Sequence, residues 1–207
     1  MGRRPVISRD AAVAAALAII DEQGLDGLSL DGVARRLGTR APSLYHHLAG
    51  RADLLAQVAG SILRGVKLPE AEPGQHWSEA VVDLCLATRR AILDHPHAAP
   101  LMLEFLPRET LLGGYERWAE MLLAAGVPPA NILAVMKGTE HLTFGAALFE
   151  AALISRRLPP YPGFDPVRTP HLALAMDADR QDPERLFATT VRSFLAGLGE
   201  RTDGRAG

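Results

Sequence analysis

One cysteine, Cys85, stands in 207 residues, so an intramolecular disulfide is excluded and a small buried side chain on an apolar helix is its expected role. Lysine is nearly missing as well, outnumbered twenty to two by arginine. No apolar run reaches the roughly 18 uninterrupted residues that a membrane span requires. The opening MGRRPVISRD lacks the apolar centre of a secretory leader, so a cytoplasmic protein with no membrane contact is expected. Strand-like alternation and internal repeats are absent. So are a Ser-His-acid order, paired carboxylates, a Gly-rich phosphate loop and a Cys-His pairing, and the glycines fall at helix ends. An enzyme is therefore not expected. With 48% hydrophobic and 22% charged residues the chain can build a core of one or two modest domains.

The net charge of −2 hides an asymmetry. Residues 1–67 carry nine Lys and Arg against six Asp and Glu, and the remainder thirteen against eighteen. A basic head on an acidic body suits a protein that meets phosphates at one end, because such a surface needs local rather than global positive charge.

Inside that head, SLDGVARRLGTRAPSLYHHL, residues 29–48, reads as two short helices around a turn. Leu30, Val33, Ala34 and Leu37 recur at the spacing of one buried helix face, Ser29 stands where an N-cap belongs, and Gly38 supplies the stop. Leu44 and Leu48 of the second helix point inward, leaving Pro42, Ser43, His46 and His47 free to meet a partner such as a DNA major groove. Helix pairs joined through glycine occur in any small helical domain, but the flanks narrow the choice. Residues 8–23 form an amphipathic helix ended by Gly24, and Arg51 opens a fourth helix running to about Val66.

IIDEQGLDGLSL, VARRLG, APSLYHHL and RADLL together resemble the DNA-binding domain of the TetR family of bacterial repressors. Past Trp77, HWSEAVVDLCLATRRAIL and GTEHLTFGAALFEAAL resemble the ligand and dimerisation helices of its tetracycline-repressor branch. The resemblance implies an all-α protein, with a helix-turn-helix head over residues 1–67 and a ligand-binding and dimerisation body over residues 68–207. It also implies that Arg40, Ala41, Pro42, Ser43, His46 and His47 face base edges, and that Tyr45 and Arg51 touch phosphate. Ser29 joins them as a DNA-side residue at the start of the preceding helix. Where the tetracycline branch reads guanine with an arginine this chain has Asp31, which can accept from a cytosine amino group or cap its helix; the cap is the preferred reading.

Residues 67–75, KLPEAEPGQ, can continue no helix and mark the hinge. The body beyond is helical: residues 77–94, a short element at 100–106, then 108–125, 130–157, 170–176, and a last helix opened by Asp182-Pro183. The two longest apolar helices lack a polar side. The resemblance pairs them with their copies in a four-helix bundle through Phe149, Leu153, Leu186, Val191, Phe194, Leu195 and Leu198, although a large monomeric core would show the same pattern.

His95, His97 and His141 raise the question of a metal, but no cysteine or carboxylate cluster stands beside them, so no metal and no cofactor is expected. The tetracycline branch holds a drug-magnesium chelate through a histidine where this chain has LMLEF. Met102 at that place does not replace imidazole. Ordinary core is the default for the remaining aromatics and methionines. The resemblance moves His95, Met102, Phe105, Trp118, Met121, His141 and Phe144 toward an effector pocket for a flat, hydrophobic or polycyclic molecule, with His141 as polar anchor. The expected function is a homodimeric repressor that holds a palindromic operator and is released by a small hydrophobic effector. The competing function is a helical carrier or enzyme with a vestigial DNA-binding head.

Overall fold

The computed structural model describes residues 8–67, 76–105, 108–179 and 182–203. Among them the chain is all helical, without a strand. The hinge expected at 67–75 lies outside the described residues except for Lys67.

Four helices build the head: α1 (Arg9–Gln23), α2 (Leu30–Arg36), α3 (Ala41–Leu44) and α4 (Arg51–Leu63). Local chemistry sets their ends. Ser8 Oγ accepts from the Ala11 amide at 3.1 Å and Ser29 Oγ from the Gly32 amide at 3.0 Å, satisfying N–H groups that a helix start leaves free. Ser29 is therefore the cap of α2, and Asp31 stands exposed in the first turn, where its charge favours the helix dipole without capping. At the other end of α2, Gly38 turns at φ +65°, its N–H reaching Arg35 O while the Thr39 N–H reaches Ala34 O. A side chain would be strained there, which is why glycine closes the helix. The second helix of the pair is shorter than its sequence suggests, giving way to turns at residues 45–47.

The body comprises α5 (Trp77–Leu93), α6 (Leu101–Glu104), α7 (Arg108–Ala124), α8 (Pro129–Ser155), α9 (Pro170–Ala178) and α10 (Pro183–Asp203). Each lies within a few residues of its expected position.

Two apolar clusters hold these elements. The first unites Val13, Ile20, Val33, Leu44, Leu54 and Val58 of the head with Ile92, Ala98, Leu101 and Met102, and with Ala147 and Ala151 of α8. Packing thus continues from head into body through the segment after α5. The second joins Val81, Val82 and Cys85 of α5, Trp118 and Leu122 of α7, Val135 and Met136 of α8, and Phe187, Val191 and Leu195 of α10. Ion pairs brace its outside: Arg90 with Glu184 and Arg192 with Glu79 link α5 to α10, and the largely buried Arg89 grips Glu150 of α8 while stacking on Phe187 at 5.6 Å.

This packing corrects part of the expected interface. Val191 and Leu195 are buried in the chain's own second cluster, because α10 needs that face to cover α5 and α8. Phe194 fills a notch on α8, where a Cβ on Gly138 would come within 2.0 Å of its ring. Leu198 packs half-buried against the same cluster. Phe149 is 76% exposed and Leu186 is exposed too, whereas Leu153 lines a shallow groove of about 410 Å³ with Phe149, Leu148 and Leu158.

Candidate DNA-facing surface and effector cavity

Leu44 and Leu48 anchor residues 40–48, the recognition segment that the resemblance implies, in the head core, so its other side is turned out. Arg40, Pro42, Tyr45 and His46 are exposed there; Ala41, Ser43 and His47 are half-buried. The segment is clamped behind: Arg9 Nε donates to the His47 carbonyl at 2.9 Å, and Asp53 Oδ2 accepts from the Ala49 amide at 2.9 Å. Arg36 is committed to Glu22 through two bonds of 2.8 and 2.6 Å, which hold that carboxyl below its ordinary titration range. Arg51 gives one N–H to the Leu25 carbonyl at 3.4 Å and is otherwise exposed at the start of α4. Arg35, one turn from Asp31 on the outer side of α2, is a further exposed cation outside the motif residues. Its phase, i+4 from an exposed residue, is the sequence signal for it.

A cavity of about 900 Å³ lies between α4, α5, α7 and α8. Leu84, Cys85 and Thr88 line it from α5, Tyr115, Trp118 and Met121 from α7, and Thr139, Glu140, Thr143 and Phe144 from α8. Its wall is completed by Leu63, Arg64, Val66 and Lys67 at the end of the head's last helix. Such a size accommodates a drug-sized molecule.

Of the expected pocket residues, Trp118, Met121 and Phe144 line this cavity. Four do not. His141 is exposed on the outer side of α8, so it cannot anchor a ligand inside. His95 joins its Nδ1 to Asp21 Oδ2 at 2.9 Å, tying the turn after α5 to α1 of the head. Met102 and Phe105 pack in the first cluster, beneath the head. For His141 the reason is that the inward face of α8 is marked by Thr139 and Thr143 rather than by the histidine, and threonine inside a helix carries no distinctive sequence signal.

The polar lining is unusual. Thr139 and Thr88 donate to backbone carbonyls one turn back, at 2.6 Å to Val135 and 2.8 Å to Leu84. Tyr115 donates to Glu140 at 3.1 Å, and Lys137 reaches the other Glu140 oxygen at 2.8 Å. By contrast, Trp118 Nε1 and Thr143 Oγ are buried without a hydrogen-bond partner of nitrogen or oxygen. Cys85 lies beside Thr139 and Thr143; burial pushes its thiol titration up, against a smaller opposing pull from the two hydroxyls.

Residues 12–58 match the family described as bacterial regulatory proteins, tetR family. The chain is 29% identical over 199 residues to the tetracycline repressor protein class D of Escherichia coli, covering 93% of this chain and 89% of that one. It is 31% identical over 205 residues to an HTH-type transcriptional regulator of Mycobacterium tuberculosis, covering 98% and 86%. Among solved structures, ActR of Streptomyces coelicolor in complex with actinorhodin superposes with a TM-score of 0.71 at 28% identity, over 94% of this chain and 96% of that one.

Proposed function

The chain belongs to the TetR family of bacterial regulatory proteins, and on that footing we propose that it is an effector-released repressor acting as a homodimer on a palindromic operator. The observation that carries this reading is the shared wall of the cavity. Leu63 closes α4, which shares the head core with Leu44 and Leu48, and Arg64, Val66 and Lys67 follow it directly; all four line the ligand space with α5, α7 and α8. A molecule that fits one placement of α4 better than another shifts the head by its difference in affinity. The actinorhodin complex of ActR supports a small-molecule effector for this fold.

Dimerisation follows from the reach of the head. One recognition segment covers one half-site, and two half-sites about 34 Å apart need a second copy. The exposed Phe149 and Leu186 and the groove beside Leu153 supply apolar surface for that contact. Residues 1–67 form the DNA-facing unit and residues 68–207 the sensing and dimerising unit. The effector acts without magnesium, because Met102 is packed in the first cluster and offers no metal ligand to the cavity.

The test selects an operator from random duplex DNA and follows binding by anisotropy at several salt concentrations, with sedimentation to fix stoichiometry. A palindrome held by a dimer, with affinity falling steeply as salt rises, is the expected result. Ligand binding or turnover without DNA affinity would establish the carrier or enzyme instead. Effector release of the operator complex should proceed equally in EDTA and in magnesium; a response that disappears in EDTA would restore a metal-chelate mechanism.

A further inference from the structure

We infer that the cavity selects an uncharged carbonyl compound, a ketone, quinone or lactone, whose oxygen is held by the Trp118 indole N–H and the Thr143 hydroxyl. This rests on reading the cavity as the effector site and adds the chemistry of what enters it. Trp118 is 7% exposed and Thr143 3%, and the polar atom of each is buried with no nitrogen or oxygen partner. An indole N–H is a donor and nothing else, so its complement is an acceptor.

Thr143 is the second donor. One turn earlier on the same helix Thr139 surrenders its proton to the Val135 carbonyl, whereas Thr143 makes no such bond and keeps its proton to give. Its neighbour, the Cys85 thiol, is a weak partner, and burial keeps that thiol protonated. A carbonyl oxygen has two lone pairs and can accept from both donors.

The charge distribution selects against an anion. The buried lining consists of Trp118, Thr139, Thr143 and Cys85, all neutral, while Arg64, Lys67 and Arg117 stand exposed at the rim. The carboxylate nearest the interior, Glu140, is already engaged by Tyr115 and Lys137. A carboxylate pushed to the Trp118 end would be desolvated without a cation, whereas a ketone leaves no charge to compensate.

Three compounds of one shape test this by calorimetry on the full chain: 9-fluorenone, fluorene, which has a methylene in place of the carbonyl, and fluorene-9-carboxylate. Fluorenone should bind tightest. Trp118→Phe and, separately, Thr143→Val should each weaken fluorenone by about tenfold, a hydrogen bond's worth, and leave fluorene unchanged. Undiminished fluorene binding also shows that each variant is folded. Thr143→Val should in addition raise the melting temperature of the free protein, since it removes a buried polar atom without a nitrogen or oxygen partner. The inference is overturned if fluorene matches fluorenone, if the carboxylate binds best, if the variants weaken all three alike, or if none of the three binds. Operator release is measured separately: fluorenone that binds with the expected preferences but leaves DNA bound would remove the coupling of the cavity to the head and keep the ligand class.

Discussion

The head and the body are both helical, but they close differently. In the head, side-chain caps at α1 and α2, the glycine turn and the Arg9 clamp satisfy the backbone locally, and alanine, valine and leucine fill the interior. In the body, α5, α7 and α8 pack together through the second cluster yet leave a cavity of about 900 Å³ beside it, with the buried donors of Trp118 and Thr143 unused. A region that must present fixed side chains to a rigid duplex is packed tightly. On the proposed reading, one that takes up a molecule keeps space and unused donors, whereas the unpartnered buried atom of the head, Asp21 Oδ1, is an acceptor.

The sharpest way to break this contrast is to remove volume from each side. Leu54 is fully buried in the head, so Leu54→Ala should destabilise by about 3 kcal/mol. Met121 borders space that already exists, and Met121→Ala should destabilise by less than about 1.5 kcal/mol, below the usual core range. Urea unfolding of both variants measures the difference; equal losses would mean that the cavity is filled by packing.

Next in size is the proposed link between copies. Phe149→Glu places a charge on an exposed apolar face and should yield a folded monomer by sedimentation. Operator affinity should then fall by roughly a hundredfold or more, as two heads cease to bind as one unit. Phe194→Glu should behave differently, unfolding the body, because Phe194 fills the notch at Gly138.

A smaller effect tests the phosphate contact proposed for Arg51 in the head. Arg51→Ala should reduce the magnitude of the salt slope by roughly 0.9 per subunit and weaken every site alike. Altered operator preference with an unchanged slope would remove Arg51 from the phosphate side. Arg40→Ala, at the exposed start of α3, should do the opposite and change preference.

The smallest effect concerns the outer braces of the body. Hydrogen bonds from Arg192 and Arg90 hold Glu79 and Glu184 below their ordinary titration range. A lowered carboxylate stabilises the fold above its unfolded-state value and loses that contribution as pH falls through its folded value. Melting temperature should therefore fall as pH drops below about 4, and Arg192→Gln should flatten part of that decline. Both pairs are largely exposed, so each contributes less than about 1 kcal/mol.

How much was legible in the sequence follows the same division. α1, the glycine turn and the burial of Val33, Ala34, Leu44 and Leu48 could be read directly, because caps, helical periodicity and glycine act within a few residues. The body's helices were equally readable as helices, down to the break at Pro128. Their facing was not. An apolar helix such as α8 has several sides able to be buried, and the choice among them depends on partners far along the chain.

The sequence by itself therefore determined an all-helical chain, the helix-turn-helix head with Arg40, Tyr45 and His46 turned outward, and the family. Those features rest on short-range hydrogen bonding and periodicity. Tertiary structure alone decided that His141 faces out while Thr143 faces in, that His95 meets Asp21 instead of a ligand, and that Val191 and Leu195 serve the chain's own core. It also decided that the end of α4 forms part of the cavity wall. The rotation of each body helix about its axis was fixed by competition among distant apolar faces for a limited area of contact, which no local rule encodes.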